Sequence, residues 1–132
     1  MPILDTIVLF GAMDPRDPSH SESVHYLRLL ENPEYYLAGF AILEYDIVLK
    51  SRGFSPRQRM TYHSVLSHDF PALTTKTRRL SPEIMYMTAK LEQEGGVDYF
   101  DAGVGAEAKM YDGQIVSKDP IFDKMTGLKR IW

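Results

Sequence analysis

The chain has 132 residues and a formal net charge of -3, and 44% of its residues are hydrophobic while 25% are charged. This size and balance are typical of one globular domain with a buried core, and the mild charge gives no general attraction for nucleic acid. The chain has no cysteine, which excludes disulfides, thiolate zinc sites and cysteine nucleophiles. We expect a single domain over residues 1–132, located in the cytoplasm and without a membrane-spanning segment.

Short apolar runs alternate with helix-forming segments along the chain. The first half predicts a strand at Ile3-Leu4, a short helix at Ile7 to Met13, an amphipathic helix capped by Ser19 or Ser21, a strand at Tyr35 to Gly39 and a helix at Phe40 to Ser51. The second half predicts a helix from Ser55-Pro56 to about His68, a strand at Leu73 to Leu80, a helix from Pro82 to about Gln93, a helix near Asp101, and strands at Ile115-Val116 and Lys129 to Trp132.

This alternation indicates an α/β fold whose central sheet is mainly parallel and covered by helices on both faces. The apolar residues of the segment from Phe40 to Ser51 predict a largely buried helix. In the helix that follows, Met60 and Val65 are expected to point inward. There are no internal repeats and no linker, so we expect one domain.

Four acidic residues lie where predicted strands end or helices begin. Asp5 closes the first strand, Glu44 lies inside an apolar helix, Asp101 opens a helix of small residues, and Asp119 follows the strand at Ile115-Val116. In open α/β sheets, ligands bind beyond the carboxyl ends of the strands. Carboxylates brought together there repel one another unless a cation neutralises them, and an all-oxygen set suits Mg²⁺ or Mn²⁺. The set therefore predicts a site for a divalent cation.

Three of these acids also have an ordinary structural explanation. Asp5 suits a cap, Asp101 suits the first turn of a helix, and Asp119 before Pro120 is typical of a turn. Glu44 fits such explanations less well, because a carboxylate among apolar neighbours is costly to bury unless it is paired. Taken singly, the first three favour the structural explanation, and only the whole set favours a function.

The chain resembles the PIN-domain ribonucleases, which include the toxins of VapBC toxin–antitoxin pairs. Four blocks carry the resemblance in order along the chain: Ile3-Leu4-Asp5-Thr6, Ala41 to Lys50 around Glu44, Asp98 to Ala108 around Asp101, and Ile115 to Asp119 followed by Phe122-Asp123 and Gly127-Leu128. The resemblance implies a three-layer α/β/α fold and a metal-dependent endoribonuclease. It implies that Mg²⁺ or Mn²⁺ is held by Asp5, Glu44, Asp101 and Asp119. It also implies an RNA substrate, an antitoxin partner and a homodimer.

One position departs from the family pattern. Many members carry Asn, Ser or Thr two residues after the first aspartate, where this chain has Ile7. The apolar side chain favours an alternative, in which a PIN-like domain with weak or no catalysis serves as a binding or assembly module. A metal-dependent phosphatase or DNA nuclease using the same carboxylates is a third hypothesis. Thr6, Ser117 and Asp123 are candidate accessory residues, with Asp123 also explained as a solvated turn residue.

Four basic residues flank the end of the helix that carries Glu44: Lys50, Arg52, Arg57 and Arg59. Lysine and arginine contacts to phosphates supply most of the affinity of proteins for nucleic acid, so Lys50 and Arg52 are candidate RNA contacts. A solvated charged face is the alternative, and it is the more frequent role of such a cluster.

Overall fold

Four short parallel strands form the central sheet, in the order β2-β1-β3-β4. The computed structural model describes residues 1–132. The strands are β1 (Ile3–Leu4), β2 (Tyr36–Leu37), β3 (Gln114–Val116) and β4 (Lys129–Ile131). Ile3 lies opposite Tyr36 on one side and opposite Ile115 on the other. The sheet is thus parallel throughout, as the sequence predicts.

Seven helices and two short 3₁₀ turns connect the strands. They are α1 (Ile7–Met13), α2 (His20–Arg28), α3 (Gly39–Ser51), α4 (Pro56–Asp69), α5 (Leu73–Lys76), α6 (Pro82–Gly95) and α7 (Tyr99–Lys109), with 3₁₀ turns at Leu29–Glu31 and Pro120–Lys124. Crossovers between parallel strands are right-handed, and those from β1 to β2 and from β2 to β3 run in opposite directions. The helices therefore cover both faces, which gives the predicted three-layer α/β/α architecture. No helix combines the length and the apolarity needed to cross a bilayer.

The core is centred on the two middle strands. Ile3, Leu4, Ile115 and Val116 are completely buried, as expected when helices cover both faces of a parallel sheet. Helix α7 approaches the rest of the core closely because it is built from small residues. A Cβ atom at Gly103 would lie 2.4 Å from Cγ of Phe40 in α3, so only glycine permits this packing. The close contact brings the first turn of α7 toward α3.

The predicted strand at Leu73 to Leu80 is wrong. The segment instead forms the short helix α5, after which Thr77 makes a single parallel bridge to Leu37. Both the backbone N–H and the hydroxyl of Thr77 donate to the carbonyl of Leu73, at 3.2 and 2.7 Å. These local hydrogen bonds favour a helical turn over an extended ladder.

The expected burial of α3 and α4 is also corrected. In α3 the buried side chains are Phe40, Ala41, Tyr45 and Leu49, whereas Leu43 and Ile47 are each 42% exposed. In α4, Met60 is 72% exposed and Val65 is 40% exposed, and the residue that enters the core is Leu66. Both helices lie on the periphery, so that apolar residues on their outer faces have no neighbour within this chain to cover them.

Candidate functional site

The arrangement of the strands brings two chain segments together at one edge of the sheet. The connection after β1 leads to β2 on one side and the connection after β3 leads to β4 on the other side. Ligands bind at such a switch point in open α/β sheets. Asp5 directly follows β1 and Ser117 directly follows β3. The backbone N–H of Asp5 donates to the carbonyl of Val116 at 3.1 Å, which joins the two strand ends.

A pocket of about 320 Å³ opens at this edge, and we call it the acidic pocket. All four predicted acids and one further aspartate line it, together with a threonine: Asp5, Glu44, Asp98, Asp101, Asp119 and Thr6. Asp98 was not predicted as a site residue, although its position three residues before Asp101 is typical of a helix cap. Asp98 caps α7, because its Oδ1 accepts from the backbone N–H groups of Phe100 and Asp101 at 2.9 and 3.0 Å.

Asp5 is buried and held in a fixed orientation. Its Oδ1 accepts from the N–H of Thr6 at 2.7 Å, and its Oδ2 accepts from the hydroxyl of Ser117 at 2.8 Å. The same Ser117 hydroxyl accepts from the N–H of Asp119 at 3.0 Å, so it couples the two acids across the strand ends. The pKa of Asp5 is raised to about 6, and burial is the largest cause. The hydrogen bonds from Ser117 and Thr6 oppose the rise, and the charges of Glu44 and Asp119 add to it.

The other acids of the pocket also repel one another. Desolvation is the largest cause that raises the pKa of Asp101 to about 8, followed by the neighbouring Asp98 carboxylate and the charges of Asp119 and Asp5. The pKa of Glu44 is raised as well, first by desolvation and then by the charges of Asp98 and Asp119. Glu44 is half-buried on the rim of the pocket, so its side chain is more exposed than its apolar neighbours in the sequence predict.

Thr6 provides an independent indication of a ligand. Its hydroxyl is buried in the acidic pocket and makes no hydrogen bond of normal geometry. The hydroxyl lies close to Glu44, where it partly opposes the rise in the pKa of that carboxyl. A buried polar atom without a partner is costly. A water molecule or a hydrated cation in the pocket would give it one.

The donor set fits a hydrated Mg²⁺ or Mn²⁺ ion. Every charged donor is a carboxylate oxygen, although no three acidic side chains converge closely enough to form a ready coordination cage. Mg²⁺ normally retains several waters and binds through one or two carboxylates, so it does not need such a cage. An open pocket with raised carboxyl pKa values is therefore compatible with this kind of ion.

The remaining predicted site residues separate into two groups. Ile7 and Arg52 line the acidic pocket, and Ser117 binds Asp5. Lys50 is exposed and does not line the pocket. Asp123 also lies outside the pocket, where both of its carboxylate oxygens bind the guanidinium of Arg130 at 2.8 and 3.0 Å.

The two other basic residues near the end of α3 also lie outside the acidic pocket. Arg59 donates to the carboxylate of Asp46 at 3.1 Å, so this guanidinium has a partner within the chain. Arg57 is exposed. Of the four basic residues at this junction, Arg52 is the one that lines the acidic pocket.

Glu107 was not predicted as a functional residue, but it supports the start of α3, the helix that carries Glu44. It is completely buried in α7, and its two oxygens accept from the N–H groups of Gly39 at 2.8 Å and Phe40 at 3.0 Å. These are the first N–H groups of α3, whose N-cap, Ala38, has no side chain able to accept them. Glu107 therefore caps the helix that carries Glu44.

No known protein family matches the chain, and no curated protein matches it. Two solved structures resemble it over almost their whole length. FitAcB from Neisseria gonorrhoeae gives a TM-score of 0.69 at 18% identity, covering 94% of this chain and 92% of that one. VapBC2 from Rickettsia felis bound to a DNA fragment from their promoter gives 0.69 at 14% identity, covering 98% and 96%. The protein has a PIN-like α/β/α fold.

Proposed function

We propose that the protein is a metal-dependent endoribonuclease that cleaves RNA phosphodiester bonds at the acidic pocket. The observation that carries the proposal is the gathering of five carboxylates at the switch point of a parallel sheet, with a buried Thr6 hydroxyl that makes no hydrogen bond of normal geometry. Clusters of groups with perturbed pKa values in a cleft are typical of functional sites. The PIN-like fold agrees with the resemblance drawn from the sequence.

In this proposal Asp5, Glu44, Asp101 and Asp119 hold a hydrated Mg²⁺ or Mn²⁺ ion, one or two of them directly and the others through its water molecules. The bound cation would lower the pKa of a water molecule and neutralise the charge that develops on the phosphodiester. Asp5 is kept in position by Ser117, which limits the freedom of the carboxylate and so preserves its alignment. The exposed guanidinium of Arg52 at the pocket wall is suited to a substrate phosphate.

We further propose that the chain works in the cytoplasm as a VapC-like toxin with an antitoxin partner and as a homodimer. The two structural neighbours carry the names FitAcB and VapBC2, which supports the class of protein although the identities are low. The exposed Leu43 and Ile47, one turn apart on α3, supply an apolar surface suited to a protein contact.

Incubation of a structured RNA with the purified protein tests the enzymatic proposal. Cleavage is expected with Mn²⁺ and is expected to disappear with EDTA and in Asp101→Asn. Asp123→Asn is the matched control, since Asp123 lies outside the pocket, and it should cleave like the wild type. Cleavage that survives EDTA, or that Asp101→Asn retains, would assign the activity to another site or to a contaminant.

A second candidate function, a non-catalytic binding module, is favoured by one observation. Ile7 lines the acidic pocket and contributes no polar group there. Such a module need not bind a cation, so Mn²⁺ titration separates the two functions. Comparison of RNA with single-stranded DNA and with a small phosphate ester separates the ribonuclease from the other hydrolases that could use these carboxylates.

A further inference from the structure

A second pocket opens beside the acidic pocket, and it is chemically different. It has a volume of about 350 Å³, and six of its ten lining residues are hydrophobic. We call it the aromatic pocket, after the rings of Phe10, Phe54, Tyr62 and Tyr45 that line it. Phe10 and Arg52 line both pockets, so the two form one continuous depression.

The rings of the aromatic pocket form walls and a floor. Phe54 and Tyr62 meet edge to face, with ring centroids 5.2 Å apart, and Phe10 lies 5.0 Å from Tyr45. Tyr45 is buried and forms the floor, while Phe10, Phe54 and Tyr62 remain partly exposed. The partly exposed rings offer flat apolar surface to a ligand that enters from solvent.

The charged residues of the pocket are suited to an anionic chain. The guanidinium carbon of Arg52 lies 5.3 Å from the centroid of the Phe10 ring, at the junction with the acidic pocket. Arg16 and Asp14 also line the aromatic pocket and pair with each other at 3.1 Å, so their charges offset and Arg52 gives the pocket its net positive charge. Proteins bind single-stranded nucleic acid by combining aromatic surfaces that stack bases with cationic groups that contact phosphates. The aromatic pocket contains both.

We propose that the aromatic pocket is a nucleobase subsite, which receives an unstacked base of single-stranded RNA whose backbone passes Arg52 into the acidic pocket. The proposal rests on the proposed function for the identity of the polymer. An apolar protein side chain would also fit the rings, but the arginine at the shared wall favours a ligand that carries a phosphate next to a flat ring. The base contacts both the Phe54 and the Tyr62 ring, and Arg52 holds the adjoining phosphate.

Fluorescence of a short single-stranded RNA containing 2-aminopurine tests the subsite, because stacking on an aromatic side chain quenches this base. We expect quenching on binding to the wild-type protein, measured with EDTA and again with Mn²⁺. Tyr62→Ala and Phe54→Ala should each weaken binding by about 10-fold, the effect of losing one stacking surface. Tyr86→Ala is the matched control, since Tyr86 is 71% exposed on α6 and lines neither pocket.

Tyr62→Leu guards against misfolding, because leucine keeps the apolar volume while it removes the ring. Quenching that this variant retains in full, or the absence of quenching by the wild type under both conditions, would overturn the subsite. Loss of binding to an antitoxin in Tyr62→Leu, with unchanged quenching, would assign the pocket to a protein ligand instead. The subsite and the proposed function fail separately: cleavage without quenching removes only the subsite, and quenching without cleavage removes only the nuclease.

Discussion

The acidic pocket and the Glu107 cap are two environments in which this protein buries carboxylates, and they differ in what surrounds the charge. Burial raises the pKa of Asp5 to about 6 and that of Glu107 to about 7. Both oxygens of Glu107 accept backbone N–H groups at the start of α3, and the positive end of that helix favours a negative charge there. Asp5, by contrast, faces Glu44 and Asp119, whose charges raise its pKa further.

The difference is the one expected between a structural acid, Glu107, and the acids of the proposed ligand site. At Glu107 the protein itself supplies the compensating groups, so the carboxylate completes the fold. In the acidic pocket several carboxylates repel one another and Thr6 has an unpartnered hydroxyl, which leaves the compensation to a ligand. Exchanging a carboxylate for an amide should therefore stabilise the metal-free protein more at Asp5 than at Glu107.

The largest effect of a single substitution is expected for Asp5→Asn. Asparagine can keep both contacts of Asp5, since its amide oxygen can accept from Thr6 and its NH₂ group can donate to Ser117. Cleavage should fall by more than about 100-fold, because changes even in groups outside the metal ligands cost about 10–100-fold. Without metal at about pH 8, the free energy of unfolding should rise by up to about 3 kcal/mol, from the shift of the Asp5 pKa from 3.8 to about 6.

RNA cleavage assays and urea unfolding in EDTA measure these two effects of Asp5→Asn. Asp123→Asn serves as the control for cleavage, and Glu92→Gln, an exposed change on α6, serves as the control for stability. A variant that is less stable than the wild type and equally inactive would mean that Asp5 is needed for folding, and would remove the contrast with Glu107.

Glu107→Gln should change the free energy of unfolding at about pH 8 by less than about 2 kcal/mol, because removal of a buried charge whose pKa is raised to about 7 offsets the loss of a hydrogen bond. The NH₂ group of glutamine would face one of the two N–H donors of α3 and leave it buried without an acceptor. Urea unfolding at about pH 8 measures the change, and Glu92→Gln, an exposed change on α6, is the control. A gain in stability as large as that of Asp5→Asn would show that the cap does not support α3.

The stability of the metal-free protein should fall as the pH rises from about 5 to about 8, by about 4 kcal/mol from Asp5 and Glu107 alone. A carboxyl whose pKa is raised by folding stabilises the protein below its unfolded pKa, and this contribution is lost as the pH rises through the folded pKa. That loss extends to about pH 6 for Asp5, about 7 for Glu107 and about 8 for Asp101. Urea unfolding in EDTA across this range measures it, and stability that rises with pH would contradict the assigned burial.

The smallest effect is expected for Ile7→Ser. A hydroxyl at this position would add a polar group to the wall of the acidic pocket, which now has an apolar side chain there. We expect Mn²⁺ to bind a few-fold more tightly, a change of less than about 1.4 kcal/mol. Calorimetric titration measures it, with Ile47→Ser on the outer face of α3 as the control for a general effect of polarity. Weaker Mn²⁺ binding would indicate that Ile7 supports the pocket by packing.

The sequence predicts the parts of the site that depend on strand ends. Asp5 and Asp119 follow short apolar runs, and in a parallel sheet the carboxyl ends of neighbouring strands meet at one edge. A prediction from this topology requires no knowledge of side-chain contacts. Glu44 and Asp101 are expected nearby through the resemblance and through their positions in helices, and the fold brings both to the same pocket.

Other features depend on contacts between distant residues, which a local pattern does not contain. Glu107 is 68 residues from Gly39 in the sequence, and nothing near it indicates which helix it caps. The burial of Leu43 and Ile47 could not be predicted for the same reason. Periodicity identifies apolar residues, but it does not show that no element of the chain packs against the outer side of α3. The strand prediction after Leu73 is wrong for a local reason, because the hydroxyl of Thr77 donates a hydrogen bond to the carbonyl of Leu73 in the preceding turn.

Binding of Mn²⁺, measured by calorimetry at about pH 8 in several buffers, tests most directly the claim that the acidic pocket requires a cation. We predict that the wild type binds Mn²⁺ and releases protons as it does so, because the pKa of Asp101 is about 8 before binding. Glu107→Gln should still bind the ion, whereas Asp101→Asn should not. An absence of binding by the wild type, or equal binding by Asp101→Asn, would contradict this account of the pocket.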